Sequence, residues 1–201
     1  VANNGLELVR VHRQGDRVVV APTDQLQKKG DTVYFQEALR AGAGNVFVSD
    51  VTLNRVNDQL ERPHRPTIRY ATPVHDSTGK VFGVVVINID LTGRLGVLPP
   101  GNGPRPQVFA TNAQGDFLVH PDPSRAFGFE LGQRHQWSDD FQPTAVPVEG
   151  SGERISWWSG PQGVAMAAEA TVVGNPDSSI GRLRFTALRL EHELGAAALA
   201  D

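Results

Sequence analysis

Asp90 stands at the end of a run from Val81 to Ile89 that is rich in β-branched residues. A carboxylate closing so apolar a strand has two uses: it caps the N-terminus of a short helix over Leu91 to Leu95, or it is presented to a ligand. Arg69 lies in the middle of an alternating segment in which Ile68, Tyr70, Thr72 and Val74 share one face and Arg69, Ala71 and Pro73 the other. Its guanidinium fork matches a carboxylate, and strand register decides whether it faces a pocket or solvent. Tyr34 combines an apolar ring with a hydroxyl, a pairing suited to a small polar ligand; core packing is the other use of Tyr34 and of its neighbour Phe35. Ser49 and Asp50 follow an apolar strand pattern, where they end the strand and start a turn or offer polar contacts. Thr72 and Asn88 are further strand polars whose facing depends on register.

Other chemistry has little support. His64, His75, His120 and His135 form no i,i+4 pair and no HExxH pattern, so no metal site is expected. There is no GxSxG, no phosphate-gripping glycine loop and no clustered carboxylate pair, so neither catalysis nor a cofactor is expected.

The elements that must position these residues follow from periodicity. Thr67 to Val74, the turn His75 to Lys80, and Val81 to Ile89 read as a hairpin whose second strand is covered on both faces. Upstream, Leu6–Arg13 and Arg17–Ala21 form another hairpin about Gln14–Asp16. Thr23 or Asp24 caps a short helix over Gln25 to Lys28, and Asp31 or Thr32 caps a second over Tyr34 to Arg40, stopped by Gly42 and Gly44. A strand follows over Asn45 to Ser49, then a polar loop from Asp50 to Pro66 without strong periodicity, and loops of that length are commonly functional. The segment Pro99 to Pro106 carries four of the chain's 14 prolines and reads as a linker.

Beyond the linker the plan restarts. Val108–Asn112 and Phe117–His120 make a hairpin, and a proline-broken, loosely helical region spans Pro121 to Pro147. Strands follow over Glu153–Trp158, Val164–Val173 and Arg182–Leu190. Trp157 and Trp158 alternate across a strand, one in the core and the other partly exposed. Gly150 to Gly152 is a loop. Each half thus reads as an antiparallel sheet with helices packed on it: α+β, two subdomains.

The chain has 201 residues, 39% hydrophobic and 20% charged, with a net charge of −3. That describes an ordinary globular protein with no electrostatic footprint for nucleic acid. Cysteine is absent, which removes disulfides and thiolate chemistry. No stretch approaches the roughly 18 apolar residues of a spanning helix. Val1 in place of an initiator Met, and a C-terminal helix pattern from Leu190 without a cap, lead to the expectation of a piece of a longer protein.

Five segments in order carry a family resemblance over residues 6–142: Leu26–Phe35; Asn45–Asn54; Pro63–Arg69; Thr72–Asp76 with Gly83–Asp90; and Leu118–Ser124 with Phe127, Gly128 and Phe129. In this spacing the chain resembles the extracytoplasmic double Cache (PAS-like) sensor domains of bacterial histidine kinases, diguanylate cyclases and chemoreceptors. The resemblance implies two tandem PAS-like modules: a membrane-distal one at 1–97, a linker at 98–106, a membrane-proximal one at 107–190, and at 191–201 the start of a helix leading toward a membrane segment. A long N-terminal helix, usual in the family, is missing or trimmed. His120, in His120-Pro-Asp-Pro, anchors a loop.

The resemblance further implies a small ligand (amino acid, carboxylate or amine) held in the distal module between its sheet and a helix-and-loop layer. Tyr34, Phe35, Ser49, Asp50, Arg69, Thr72 and Asp90 map onto that site, Asp90 matching the acid that meets a ligand amino group. Thr32 and Val33 stand where members commonly carry a basic residue, so a carboxylate needs Lys28, Lys29, Arg55 or Arg69. The expected whole is the periplasmic portion of an inner-membrane receptor, homodimeric at full length, that signals through its terminal helix to a cytoplasmic histidine kinase or diguanylate cyclase output. The alternative is a Cache-like module without a small ligand that binds a periplasmic protein.

Overall fold

The computed structural model describes residues 1–97, 105–144, 148–150, 153–175 and 180–193. Most of the expected linker (98–104), the end of the proline-broken region (145–147), residues 151–152 of the Gly150–Gly152 loop, and most of the terminal helix (194–201) lie outside them. Sheet dominates and helices are few. Strands β1 (Val11–Gln14), β2 (Arg17–Val20), β3 (Phe47–Val48), β4 (Thr52–Leu53), β5 (Arg55–Val56), β6 (Gln59–Leu60), β7 (Pro66–His75) and β8 (Val81–Asp90) come first, with helix α1 (Val33–Ala41) before β3. Then come β9 (Gln107–Thr111), β10 (Phe117–Val119), α2 (Gly128–Leu131), α3 (Trp137–Asp140), β11 (Gln142–Pro143), β12 (Val148–Gly150), β13 (Glu153–Gly160), β14 (Gly163–Val173) and β15 (Arg182–Leu190). The chain divides into two compact units, Val1–Asp50 with Asn54–Asp90, and Val51–Leu53 with the described residues from Leu91 onward.

In the first unit β7 pairs antiparallel with both β8 and β3, in a register that sets Thr67 opposite Asp90 and Arg69 opposite Asn88. Asp76 fixes the turn between β7 and β8: one carboxylate oxygen accepts from Thr78 N–H at 2.8 Å, the Thr78 hydroxyl at 2.6 Å and Lys80 N–H at 3.0 Å. Those bonds hold the Asp76 carboxyl below the usual carboxylate range. Helix α1 ends at Gly42, whose φ of 77° any side chain would resist. Phe35 and Ala38 of α1 pack on Ala71 and Val84, forming the core.

Four expectations need correction here. The hairpin β1–β2 joins no larger sheet but stands as a two-stranded sheet; residues 1–3 lie beside β8 instead, with Val84 N–H donating to Val1 O at 2.7 Å and Asn3 N–H to Phe82 O at 3.1 Å. Gly83 admits that approach, since a Cβ there would lie 2.3 Å from Val1 O. The stretch after Asp50 is not patternless: β5 and β6 pair across Asn57 and Asp58, both left-handed (φ 49° and 62°), as a tight hairpin turn requires. Finally, β8 is not covered on both faces; Phe82, Val85, Ile87 and Ile89 are exposed. The short helix over Gln25 to Lys28 also reduces to one 3-10 turn, Thr23–Gln25.

The second unit is built on a sheet in the order β10-β9-β15-β14-β13-β11, with β12 also on β13. Phe109, Phe117, Trp137, Phe141, Ala165, Ala167 and Leu188 form its core, and Trp158 packs against them. Trp158 Nε1 donates to Ser156 Oγ at 2.7 Å, and Trp157, one residue away, is also half-buried. In the Phe127-Gly-Phe segment, Gly128 is required because a Cβ would fall 1.9 Å from Gln133 O.

Candidate functional site

Alternation along β7 turns Thr67, Arg69, Ala71 and Pro73 inward, toward the face covered by α1. Arg69 is 8% exposed; its guanidinium carbon lies 5.6 Å from the Tyr34 ring centroid, and Nη2 donates to Asn54 Oδ1 at 3.1 Å. Tyr34 sits in the first turn of α1. Burial pushes its hydroxyl above the ordinary tyrosine value, with a Thr32 hydrogen bond and the Arg69 charge working against that rise.

A second cation joins them. Lys29, on the segment before α1, is pushed below its ordinary value chiefly by burial, while the charges of Glu7 and Asp58 pull it back up and those of Arg10 and Arg69 push it further down. Lys29 Nζ donates to Gln27 Oε1 at 2.6 Å, and that oxygen also accepts from Asn57 N–H at 3.2 Å. Gln27 N–H donates to Glu7 Oε2 at 2.9 Å. Asn54 Nδ2 donates in turn to Glu61 Oε2 at 2.9 Å. Arg69 and Tyr34 thus lie together on the inward face, and Lys29, held by Gln27, lies within electrostatic reach of Arg69, Glu7 and Asp58.

The remaining candidates are distributed differently. Phe35 is 2% exposed and belongs to the core. Ser49 is buried and tied to the strand: its hydroxyl accepts from Arg69 N–H at 2.9 Å and donates to Asp50 O at 2.7 Å, so it fixes Arg69's backbone. Asp50 is half-buried beside it. Thr72 lies on the opposite face of β7 from Arg69 and donates to Asn45 O at 2.8 Å. Asp90 shares Arg69's face by register, but its side chain is 45% exposed and Oδ2 lies 3.5 Å from Arg65 Nη1. Leu91 is irregular and residues 92–96 form turns, so there is no helix for Asp90 to cap.

Sequence reasoning singled out Lys29 only as one of four cations able to reach in, and it missed Gln27, Asn54, Glu7 and Asp58. The one available signal was Asn57-Asp58 between Val56 and Gln59, a turn dipeptide that makes a hairpin and brings Asp58 to Lys29. Among the described residues no group of three or more His, Cys, Asp or Glu side chains is placed to hold a metal.

A family model for the sensor domain of bacterial histidine kinases matches residues 1–144. The chain belongs to that family. No curated protein matches this sensor domain, but solved structures resemble it. An extracellular domain ascribed to a histidine kinase, vpHK1S-Z8, is 19% identical with a TM-score of 0.66, the match covering 100% of this chain and 70% of that one. A domain ascribed to a sensory box/GGDEF family protein from Vibrio parahaemolyticus is 18% identical with a TM-score of 0.62, over 97% of this chain and 71% of the other. The ligand-binding domain of the Pseudomonas aeruginosa PAO1 amino acid chemoreceptor PctC, in complex with GABA, is 16% identical with a TM-score of 0.56, over 91% and 73%. The sensor domain therefore has the sheet-rich α+β fold, with few helices, that these Cache-like neighbours share. No helix among its described residues is long and apolar enough to cross a membrane.

Proposed function

We propose that this sensor domain binds a small molecule bearing a carboxylate, an amino acid in particular, in its first unit. The observation that carries the reading is the buried Arg69 guanidinium over the Tyr34 ring, with the half-buried Lys29 near enough for the Arg69 charge to act on it. Glu7, Asp58 and Asp90 are the acids available to an amine. PctC, a structural neighbour, holds GABA, a molecule with both groups.

Residues 1–97 and 107–190 act as tandem Cache modules, distal and proximal to the membrane; the compact units follow these bounds except that Val51–Leu53 and the residues from Leu91 group with the second. The strand order β10-β9-β15-β14-β13 in the second supports a PAS-like sheet. The parent is a membrane-anchored, dimeric receptor with a histidine kinase or diguanylate cyclase output. Ligand holds α1 and the β5–β6 hairpin against the sheet and biases signalling only by its affinity difference between two states.

The test is a thermal-shift and calorimetric screen with GABA, the L-amino acids, simple carboxylates and amines. A binder raises stability by about 2.7 kcal/mol at a hundredfold excess over its Kd. Lys29→Gln and Arg69→Ala each weaken binding about tenfold or more. Silence across the panel, or a binder indifferent to both substitutions, overturns the reading. The exposed apolar face of β8 favours a second one, a periplasmic protein partner, and silence together with a partner lost in Ile87→Lys would support it.

A further inference from the structure

His120 follows β10 in the second unit, and its side chain is 11% exposed. The ring stands edge-on to Phe109 of β9 and Phe117 of β10, with centroids 5.2 and 4.8 Å away. Its Nδ1 lies 2.9 Å from Asp122 N, whose N–H can only donate, so the neutral ring accepts there and carries its proton on Nε2. That bond opens a chain of local ones. The Asp122 carboxylate accepts from Ser124 N–H at 3.0 Å and from the Ser124 hydroxyl at 2.8 Å. Arg125 N–H donates to Asp122 O at 3.2 Å, and Phe127 N–H returns the chain to Phe117 O at 2.8 Å. The turn from His120 to Phe127 is thus pinned to the sheet at both ends, once by an imidazole nitrogen.

The surroundings disfavour a charge on that ring. Arg125 and Asp122 face it from its own turn and Asp140 from α3, while β9 and β10 present Phe109 and Phe117; Glu193, beyond β15, lines the same cavity. Asp140 Oδ2 lies 3.8 Å from Nε2, but Asp140 is engaged by Arg125, Nη2 donating to Oδ1 at 2.9 Å and Nη1 lying 2.6 Å from Oδ2. The Arg125 guanidinium also stands over the Phe117 ring at 5.8 Å. An imidazolium would have to share both the carboxylate and the ring with that first cation. Its new Nδ1–H would point at Asp122 N–H, and the Asp122 carbonyl, 3.2 Å from Nδ1, already accepts from Arg125 N–H. Burial first, then the Arg125 charge, hold the imidazole below its ordinary 6.5, while a bond to the Asp122 backbone and the Asp140 and Asp122 charges pull the other way.

We propose that His120 is an acid-sensitive latch: its neutral ring holds the turn from His120 to Phe127 against the second unit's sheet, and protonation releases that turn. The two states differ by one proton at Nδ1 and by the Asp122 N–H bond that this proton displaces. Because the folded value lies below that of the unfolded chain, the latch stabilises fully above about pH 6.5, and this contribution is lost as pH falls from there through the folded value. The second unit thereby reads mild acidification of its surroundings, by a route that does not depend on any ligand of the first unit.

The test follows the His120 ring nitrogens by ¹H–¹⁵N NMR from about pH 8 to about pH 4, in the folded domain and in urea. At neutral pH Nδ1 should be bare and Nε2 protonated, and the folded midpoint should lie below the one in urea. Through that midpoint the amides of Asp122, Arg125 and Phe127 should lose hydrogen-exchange protection, once rates are corrected for the intrinsic effect of pH. Arg125→Gln removes the competing cation and frees Asp140, so it should move the His120 midpoint upward. His120→Asn keeps an acceptor for Asp122 N–H without titrating, and should hold the turn closed across the same range. A protonated Nδ1 at neutral pH, a folded midpoint at or above the one in urea, a turn that stays protected through the titration, or a midpoint unmoved by Arg125→Gln would each overturn the proposal. These readouts decide it even if His120→Asn does not fold.

Discussion

At the scale of single residues, the best-defined electrostatic device is Asp116 in the second unit. Its side chain is 3% exposed, accepts from Arg134 Nε at 2.5 Å and Nη2 at 3.0 Å, and takes a further bond from Asn112 Nδ2 at 3.0 Å. Burial alone would raise this carboxyl, but the Arg134 and Asn112 bonds together outweigh it and hold it below the usual range. A carboxyl depressed in the folded state stabilises above the unfolded value of about 3.9, and that contribution fades as pH falls through the lower folded value. Arg134→Ala should therefore destabilise the protein at pH 7, and the gap to the parent protein should shrink below about pH 4, as read by urea denaturation at both pH values. Lys29 carries the opposite logic. Its folded value already lies below the ordinary 10.5, and a bound carboxylate favours the protonated form. Affinity for a plain carboxylate should hold at neutral pH and fall as pH rises toward that value, whereas Lys29→Arg should keep it flat in calorimetry across the same range.

At the scale of elements, the sheet of the first unit depends on a backbone contact that no periodicity announces. Residues 1–3 are too short to show alternation, yet Val1 bonds Val84 twice, its own N–H donating to Val84 O at 2.9 Å. Gly83→Ala should disrupt that pairing at a cost of about 1–3 kcal/mol, and deleting residues 1–3 should make the two changes markedly non-additive in denaturation experiments. On the outer face of β8, Ile87→Thr should change stability by less than about 0.5 kcal/mol, since the side chain is 58% exposed. The long hairpin β7–β8, helix α1 and strands β13 to β15 were legible because each is long enough for its period to show. The β5–β6 hairpin was not, its strands being two residues each. Nor can local pattern say which sheet a hairpin joins, and so β1–β2 was placed wrongly. The facing of Arg69 was a question of parity along β7, answered only when α1 chose the odd-numbered face. The Lys29–Gln27 pair depended on chain folding outside any regular element.

At the scale of the whole molecule, each unit has a core of its own chemistry: small and aliphatic around Phe35 in the first, aromatic in the second, where Trp137 stacks on Phe141 with centroids 4.1 Å apart. Phe109→Ala should cost about 3–5 kcal/mol and Phe35→Ala a similar amount. Hydrogen exchange should report the first loss in β9, β14 and β15 and the second in α1, β7 and β8. The strand β15 has a consequence beyond stability. It is not an edge: it is bonded to β14 from Arg182 to Leu190 and to β9 from Arg184 to Leu188. A tug along its axis at Leu190 would load the rungs on both flanks at once, in shear, instead of peeling them one by one. Mechanically, β15 is clamped along its shaft, so a load applied at one end is shared with β14 and β9 and moves the sheet as a body.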